Sequence, residues 1–230
     1  IEIRDAATGE VLLAAPAGGG GSPAGGKVRN MVWSPDGRSV ISAGPGSSGW
    51  IHDAATLEPL TRLDSHHRSI WTVGVDPLGE RILTGGSGSP VVDVGSAGTG
   101  LLLDSLEGHT DGALCSAFHP AGEVAATGSA DNTVRLWRVA DATPLALLEG
   151  HTARVIDLDF SPDGSRLASC SYDRTVRLWS IPDGREVATL RGHRGFVRHV
   201  RFAPDGSFLA SIATDGEVRI WDAPPVEAPD

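Results

Sequence analysis

The sequence predicts an all-β fold made of repeated four-stranded antiparallel units. Three Gly-His pairs, which begin at Gly108, Gly150 and Gly192, are 42 residues apart, and a tryptophan follows 28 residues after each of their histidines. A fixed period of this length is typical of an array of one supersecondary unit. The apolar residues fall in short runs between glycine-rich and proline-rich turns, which is the pattern expected for many short strands.

Each 42-residue unit contains four predicted strands. Counting from the histidine as position 0, the first strand ends in a turn with proline at +11 and glycine at +13. Proline presets φ for such a turn and glycine accepts a positive φ. In one unit the second, third and fourth strands are 166–171, 176–179 and 186–190, and side chains in the third alternate with a period of two. Four short antiparallel strands per repeat predict the blade of a β-propeller.

The repeat divides the chain into a partial blade or closing strand, two divergent repeats, three repeats with the full signature and a tail. In chain order these segments are 1–14, 24–65, 66–107, 108–149, 150–191, 192–222 and 223–230. The segment 1–14 matches only a third and a fourth strand, and the segment 192–222 lacks its fourth strand. Five blades and part of a sixth are therefore predicted.

The two divergent repeats keep the spacing but lose signature residues. In the repeat 66–107, His66 is position 0 and Val94 takes the place of the tryptophan. In the repeat 24–65, His52 stands at the tryptophan position. We interpret this pattern as divergence of the side chains within a shared fold.

The number of blades in a complete ring has three possible answers. A ring of seven blades requires about 75 further residues before Ile1, or roughly one and three-quarters of a repeat. A ring of five blades requires residues 10–13 to pair with the last blade, which would leave no open sheet edge. In the third possibility, partial rings assemble with one another. We favour seven blades.

The Gly-His pair, a hydroxyl at +18, an aspartate at +22 and a tryptophan at +28 resemble the WD40 repeat family. The literal Trp-Asp pair of that family occurs once, at Trp221-Asp222. The resemblance implies that each full repeat contains a hydrogen-bonded tetrad that joins the outer strands of its blade. The three sets are His109, Thr127, Asp131 and Trp137, then His151, Ser169, Asp173 and Trp179, and finally His193, Ser211, Asp215 and Trp221.

We predict no catalytic, cofactor-binding or metal-binding residues. Histidine, serine and aspartate also form hydrolase triads, but three copies at one identical spacing favour a structural role. The stretch Gly21–Lys27 fits part of a phosphate-binding loop, but Val28 stands where Ser or Thr should hold Mg²⁺. The adjacent pair His66 and His67 lacks a second ligand pair at finger-like spacing.

Composition excludes several classes of partner. The net charge of −10 argues against binding to nucleic-acid backbone, and no apolar run is long enough for a transmembrane helix, so neither nucleic acid nor membrane is an expected partner. Cys115 and Cys170 are too few for a disulfide framework. We expect them to be buried free thiols, which favours a cytoplasmic location.

The resemblance implies a rigid platform that binds a peptide or protein. Partners of WD40 proteins often contact positions +3 and +5 on the first strand and +21 before the turn aspartate. In this chain the candidate residues are Arg154, Ile156, Tyr172, Phe196, Arg198, Trp71, Lys27 and Arg29. We therefore expect a non-catalytic protein-interaction scaffold. The alternative is a sensor or substrate-docking domain of a larger signalling protein, such as a kinase, a protease or an ATPase of bacterial type, whose catalytic part lies outside this chain.

Overall fold

The strands of this chain form successive antiparallel sheets. The computed structural model describes residues 2–4, 7–8, 10–14, 28–44, 48–65, 67, 69–181 and 183–222. These residues form 21 β-strands in six sheets and contain no α-helix. The predicted all-β fold is therefore confirmed. Within these ranges no helix has the length and apolar character needed to cross a membrane.

Five of the sheets are meanders in which each strand pairs with the next along the chain, and we name them blades 1 to 5. Blade 1 consists of β3 (Asn30–Trp33), β4 (Ser39–Gly44), β5 (Ser48–Asp53) and β6 (Pro59–Arg62). Blade 2 consists of β7 (Ile70–Val75), β8 (Arg81–Gly86), β9 (Ser89–Ser96) and β10 (Leu102–Leu106). A separate strand pair precedes them and consists of β1 (Glu2–Arg4) and β2 (Val11–Ala14).

Blades 3 to 5 contain the repeats with the full signature. Blade 3 consists of β11 (Ala113–Phe118), β12 (Val124–Ser129), β13 (Val134–Arg138) and β14 (Thr143–Leu148). Blade 4 consists of β15 (Val155–Phe160), β16 (Arg166–Ser171), β17 (Thr175–Ser180) and β18 (Glu186–Arg191). Blade 5 has three strands, which are β19 (Val197–Phe202), β20 (Phe208–Ala213) and β21 (Val218–Asp222). This succession of meanders is the arrangement predicted for propeller blades.

The turn between the first and second strands requires glycine at +13. In blade 4 this residue is Gly164, with a φ of +73°, and its N–H donates to the carbonyl oxygen of Ser161 at 2.8 Å. The left-handed region of φ is strained for residues with a side chain, so glycine is favoured there. The equivalent glycines of the other blades also have positive φ and are Gly37, Gly79, Gly122 and Gly206.

The first strands of successive blades pack side by side and line one cavity of about 560 Å³. In blades 2 to 5 each of these strands contains a β-bulge, because its register against the second strand shifts by one residue. The bulged residues, at +5 of each repeat, are Trp71, Leu114, Ile156 and Arg198. All four line the cavity. A bulge redirects a side chain, and here it turns one residue of each blade toward the cavity.

The hydrophobic core lies between neighbouring blades. Val176 and Leu178 of β17 are 0% and 4% exposed, and they pack in one cluster with Val197 of the next blade. The residues at the same repeat positions in blade 5, Val218 and Ile220, are 63% and 62% exposed. Covering such a side chain stabilises a fold by about 2 kcal/mol, so blades 3 and 4 gain stability here that blade 5 lacks.

Blade 2 differs from the prediction in its third strand. Trp137 lies opposite Ala125 on β12, and the residue equivalent to Ala125 in blade 2 is Ile82. Gly95, and not Val94, lies opposite Ile82. The prediction that Val94 replaces the tryptophan is therefore wrong by one residue, because the pairing of β8 with β9 shifts register beside Gly86.

Candidate functional site

The predicted tetrad of blade 3 comes together between two strands and two loops. His109 precedes β11, Thr127 lies on β12, Asp131 lies in the turn after β12 and Trp137 lies on β13. The Nε2 of His109 is 2.8 Å from the Thr127 Oγ1, and its Nδ1 is 2.8 Å from Asp131 Oδ2. The indole N–H of Trp137 donates to Thr127 Oγ1 at 2.7 Å. The ionised Asp131 carboxylate can only accept, so the proton of the neutral imidazole is on Nδ1 and is donated to Asp131, and Nε2 accepts from the Thr127 hydroxyl.

Blades 4 and 5 contain the same network. The distances from the histidine to the hydroxyl and to the carboxylate are both 2.8 Å in blade 4, and are 2.8 and 3.2 Å in blade 5. The indole N–H donates to the hydroxyl at 2.8 and 2.9 Å. The structure thus brings together His151, Ser169, Asp173 and Trp179, and likewise His193, Ser211, Asp215 and Trp221.

The hydroxyls of these tetrads are poorly placed for catalysis. Thr127, Ser169 and Ser211 are 0%, 0% and 2% exposed, so a substrate atom cannot approach them. Burial opposes the charged form of Asp131, but hydrogen bonds from Thr133 and from the Thr110 N–H outweigh it and lower the pKa of this carboxyl to about 2. A buried hydroxyl between a fixed imidazole and a fixed indole is a structural link between strands.

The tetrad of blade 5 has an additional carboxylate. Glu217 stands where blades 3 and 4 carry Thr133 and Thr175. Potential ligand atoms of His193, Asp215 and Glu217 lie within 4.8 Å of one another, a distance that would allow them to hold a metal ion. The Glu217 carboxylate, however, accepts two hydrogen bonds from the Arg219 guanidinium, at 3.0 and 2.6 Å. That no metal binds here stays a prediction.

Blade 1 replaces the indole with an imidazole. His52 is 1% exposed, and its Nε2 lies 2.9 Å from the Ser42 Oγ. Its Nδ1 lies 3.3 Å from the carbonyl oxygen of Leu57, which can only accept, so Nδ1 carries the proton and Ser42 donates to Nε2. Burial lowers the pKa of His52 and favours this neutral form. The Ser42 hydroxyl of blade 1 therefore donates to a side chain of the third strand. The tetrad hydroxyls of blades 3 to 5 instead accept from a tryptophan side chain of that strand.

Blade 2 contains a buried pair that the sequence analysis missed. The side chains of His67 and Asp93 are both 1% exposed, and Nε2 of His67 lies 3.3 Å from Asp93 Oδ2 and 3.0 Å from the Thr84 carbonyl oxygen. The Ser65 hydroxyl also donates to Asp93, at 3.0 Å. An aspartate inside the apolar run of β9 was the signal that could have indicated this pair. His66, the predicted position 0, lies outside the described residues.

Two of the predicted partner-binding residues meet at the blade 1 side of the cavity. The Arg29 guanidinium carbon lies 3.3 Å from the centre of the Trp71 ring, which is a cation–π contact. Both residues line the cavity, and so does Ile156 on β15. Lys27, a further predicted contact residue, lies outside the described residues.

Three more of the predicted residues meet where blade 4 joins blade 5. The rings of Tyr172 and Phe196 are stacked, with centroids 4.6 Å apart and an angle of 20° between their planes. The Arg198 guanidinium lies 5.1 Å from the centre of the Tyr172 ring. Arg154 is exposed beside them, and its carbonyl oxygen accepts from the Tyr172 N–H at 3.1 Å. We name these four residues the blade 4–5 patch, together with Arg174 and Arg194, which are exposed on the neighbouring loops.

The cavity lining also contains a charged cluster that the sequence analysis missed. Asp157 on β15 accepts from the Arg201 guanidinium at 2.6 Å and from the Val200 N–H at 3.2 Å, both of the next blade. Asp159 accepts from the Phe202 N–H at 2.6 Å. Burial raises the pKa of Asp159 to about 6. Opposite charges at +6 and +8 of successive repeats were the signal that could have indicated this contact.

The two cysteines are buried free thiols. Cys115 and Cys170 are 4% and 0% exposed and form no disulfide. Burial raises the pKa of both thiols. Each thiol points to the carbonyl oxygen of the residue that begins the first strand of the next blade, Val155 or Val197. They are core residues of the junctions between blades.

Several known proteins are similar to part of this chain. It is 30% identical to Protein groucho of Drosophila melanogaster over 120 residues, which are 51% of this chain and 16% of groucho. It is 33% identical over 115 residues to THO complex subunit 3 of Arabidopsis thaliana, covering 49% of this chain and 35% of that protein. It is 31% identical over 111 residues to Serine-threonine kinase receptor-associated protein of Mus musculus, covering 48% of this chain and 31% of that protein.

The similarity covers only part of the length of each of these relatives. The chain matches between 16% and 35% of the length of the three relatives. All three come from eukaryotes, so they do not support the expected bacterial type, which stays a prediction.

The model of the WD domain, G-beta repeat, family matches residues 100–138, 142–180 and 184–222. Each match begins near the fourth strand of one blade and ends at the third strand of the next, so the sequence repeat is offset from the structural blade. The matches cover just over half of the chain, and the tetrads lie within them. This chain belongs to the WD40 repeat family.

Proposed function

We propose that this protein is a non-catalytic scaffold that binds a peptide or protein partner at the cavity lined by the first strands. The observation that supports this proposal is the convergence of bulged residues on one cavity. Trp71, Ile156 and Arg198 all turn toward it from different blades. Aromatic and arginine side chains carry much of the binding energy in protein interfaces.

The rigidity of the blades supports the same conclusion. Each full tetrad joins the second strand of its blade to the third and to the loop before the first strand. Ile156 and Arg198 lie on the first strands that follow the anchored loops of blades 4 and 5, so bonds within each blade hold the backbone before them in place. A site that is already ordered loses less conformational entropy on binding than a mobile loop does.

The relatives support a role in assembly. WD40 repeat proteins generally act as protein-interaction scaffolds, and one relative is named as a complex subunit while another is named as receptor-associated. Those names describe the relatives. For this chain they favour a binding role over an enzymatic one.

The test is capture of a partner by the purified chain from a lysate of its source, with identification by mass spectrometry and reconstitution from purified components. Combining Arg154→Glu with Arg198→Glu should abolish binding, because both changes place a negative charge on the contact surface. The melting temperature should stay nearly unchanged, since both side chains are exposed. Capture that persists in the folded double variant would defeat the proposal.

The matched control is Arg185→Glu. This arginine lies before β18, away from the cavity, and its side chain is 82% exposed. The charge change is the same for each site, so a general effect of net charge would appear in the control as well. Should the double variant fail to fold, the single change Trp71→Ala provides a second, uncharged test of the same cavity.

A docking domain within a longer protein is the second candidate. The observation that favours it is that the matched part makes up 35% or less of each relative named above. In that case the partner is another domain of the same polypeptide or its substrate. Intact mass measurement of the native polypeptide distinguishes the two candidates, because a mass well above 23.8 kDa favours the docking domain.

We also propose a cytoplasmic location. Two buried cysteines that form no disulfide support a reducing compartment. Fractionation of source cells with an antibody against the chain tests this, and recovery in an extracellular fraction would contradict it.

A further inference from the structure

We propose that the partner segment bound at the blade 4–5 patch is an acidic peptide. This inference rests on the proposed function and specifies the chemistry of the partner. It is carried by four exposed arginines, each of which lies within two residues of one member of a stacked aromatic pair or is hydrogen-bonded to it through the backbone. They are Arg154, Arg174, Arg194 and Arg198.

The arginines of the patch have no carboxylate partner among the residues that the structure describes. Other arginines of the chain do: Arg201 pairs with Asp157, Arg138 with Asp141 and Arg185 with Asp183. The two aspartates nearest to the patch in sequence, Asp173 and Asp215, are already bound by the tetrad histidines. The four arginines therefore outnumber these two carboxylates, so the patch has a local excess of positive charge although the whole chain has a net charge of −10.

The repeat itself does not require these arginines, although blade 1 also has cations at two of the same positions, Lys27 at +3 and Arg29 at +5. Positions +1, +3, +5 and +23 of blade 3 carry the uncharged residues Thr110, Gly112, Leu114 and Asn132. At the same positions blade 4 has arginine at +3 and +23, and blade 5 has arginine at +1 and +5. Four arginines thus occupy these positions in the two blades of one junction, where the β-propeller framework itself requires none.

The geometry leaves the arginine donors free for an anion. The carbon of the planar Arg198 guanidinium lies 5.1 Å from the centre of the Tyr172 ring. The N–H groups project from the edge of that plane and remain available to bind a carboxylate or a phosphate. Phe196, which is 47% exposed, offers an apolar surface beside them for an uncharged side chain of the same segment.

A peptide fits these features better than nucleic acid does. A patch of four arginines suits a short cluster of anionic side chains, and the strongly negative molecule around it would repel a long polyanion. Aspartate, glutamate and phosphorylated side chains share the required chemistry. The experiment separates these sources.

The test is fluorescence anisotropy with labelled peptides of equal length that differ at the same positions, carrying glutamate, phosphoserine, glutamine or lysine. We expect the glutamate or the phosphoserine peptide to bind the chain at least about tenfold more tightly than the glutamine peptide, because its anionic groups accept charge-assisted hydrogen bonds from the arginines. Raising the salt concentration should weaken this binding. The tighter of the two anionic peptides identifies the source of the charge.

The variants Arg154→Ala and Arg198→Ala should each weaken anionic-peptide binding by about tenfold. Arg185→Ala, which removes the same charge from an 82% exposed side chain away from the cavity, should leave binding unchanged. Equal losses in all three variants would show a general charge effect and overturn the proposal.

The remaining outcomes separate this inference from the proposed function. Equal affinity for the glutamate and glutamine peptides at the patch overturns the acidic preference and leaves the scaffold function standing. Failure of every peptide to bind also overturns it, and the capture experiment with Arg154→Glu and Arg198→Glu then decides the scaffold function separately. A single-stranded oligonucleotide of equal charge that binds more tightly than the anionic peptides overturns the assignment to a peptide.

Discussion

Blades 3 to 5 join their second and third strands through a histidine, a hydroxyl and a tryptophan, whereas blades 1 and 2 use other side chains for the same contact. In blade 3 the hydroxyl of Thr127 accepts from an indole and donates to an imidazole. In blade 1 the Ser42 hydroxyl donates to His52, which takes the place of the indole. Blade 2 relies on the buried pair His67 and Asp93. The difference teaches that the fold requires paired polar atoms between these strands and does not require one set of residues.

The largest expected effect comes from removing the central hydroxyl of a full tetrad. Ser169→Ala leaves the indole N–H of Trp179 and the Nε2 of His151 buried without a partner, so we expect a loss of about 3 kcal/mol in the free energy of unfolding. Ser42→Ala leaves only Nε2 of His52 unpaired, and the expected loss is about 1 kcal/mol. Urea denaturation measures both.

The control for this pair is Ser207→Ala in the turn before β20, where the hydroxyl bonds only to Asp205 at the surface. We expect a change of at most about 0.5 kcal/mol there. Equal losses for Ser169→Ala and Ser42→Ala would contradict the view that the full tetrad ties its blade more strongly than the substitute in blade 1.

A smaller effect is expected at the junction of blades 4 and 5. Asp159→Asn removes a buried charge but keeps an oxygen that accepts from the Phe202 N–H. Burial raises the pKa of Asp159 from 3.8 to about 6, so the folded state binds its proton more tightly than the unfolded state does. The wild-type protein therefore gains stability as pH falls from above 6 toward 3.8, relative to the variant.

At pH 8 the variant should be more stable than the wild type by about 1 kcal/mol, and this advantage should fade below pH 6. Chemical denaturation across that range measures it. Ala117→Asn provides the comparison, since Ala117 holds the same repeat position in blade 3 without a charge to remove. An advantage of Asp159→Asn that does not change with pH would show that Asp159 stays ionised throughout.

The smallest effect is the pH dependence of blade 1. Burial lowers the pKa of His52 below its ordinary value of 6.5, so the unfolded chain binds more protons than the folded chain as pH falls through that value. The stability that depends on neutral His52 is present above pH 6.5 and is lost below it. Between pH 8 and pH 5 the wild type should lose more stability than His52→Phe, as measured by thermal unfolding. Parallel pH profiles would indicate that His52 does not titrate in this range.

The elements that could be predicted from sequence are those fixed by short hairpins. The spacing of +18, +22 and +28, counted from the histidine, depends only on the first three strands of a blade and the turns between them. The resemblance to WD40 repeats groups His151, Ser169, Asp173 and Trp179, and the fixed spacing extends the same grouping to each full repeat. Blade 2 departs from this spacing, because a shift of register beside Gly86 displaces the third strand by one residue. Such a shift has no clear signature in residue type.

Contacts between blades could not be predicted in the same way. Asp157 and Arg201 are 44 residues apart, and their contact depends on the angle between two sheets. The sequence indicates which positions are near the cavity but contains no measure of that angle. The pairing of Arg29 with Trp71 and the stacking of Tyr172 on Phe196 also depend on it. The candidate residues could therefore be named, but their grouping into two clusters could not.

The exposed valine and isoleucine of blade 5 have a consequence for how the molecule opens. Val218 and Ile220 are 63% and 62% exposed, whereas their counterparts Val176 and Leu178 are buried beneath the following blade. Local opening requires less free energy where fewer apolar contacts are broken. Amide hydrogens of β21 should thus exchange with solvent sooner than those of β17.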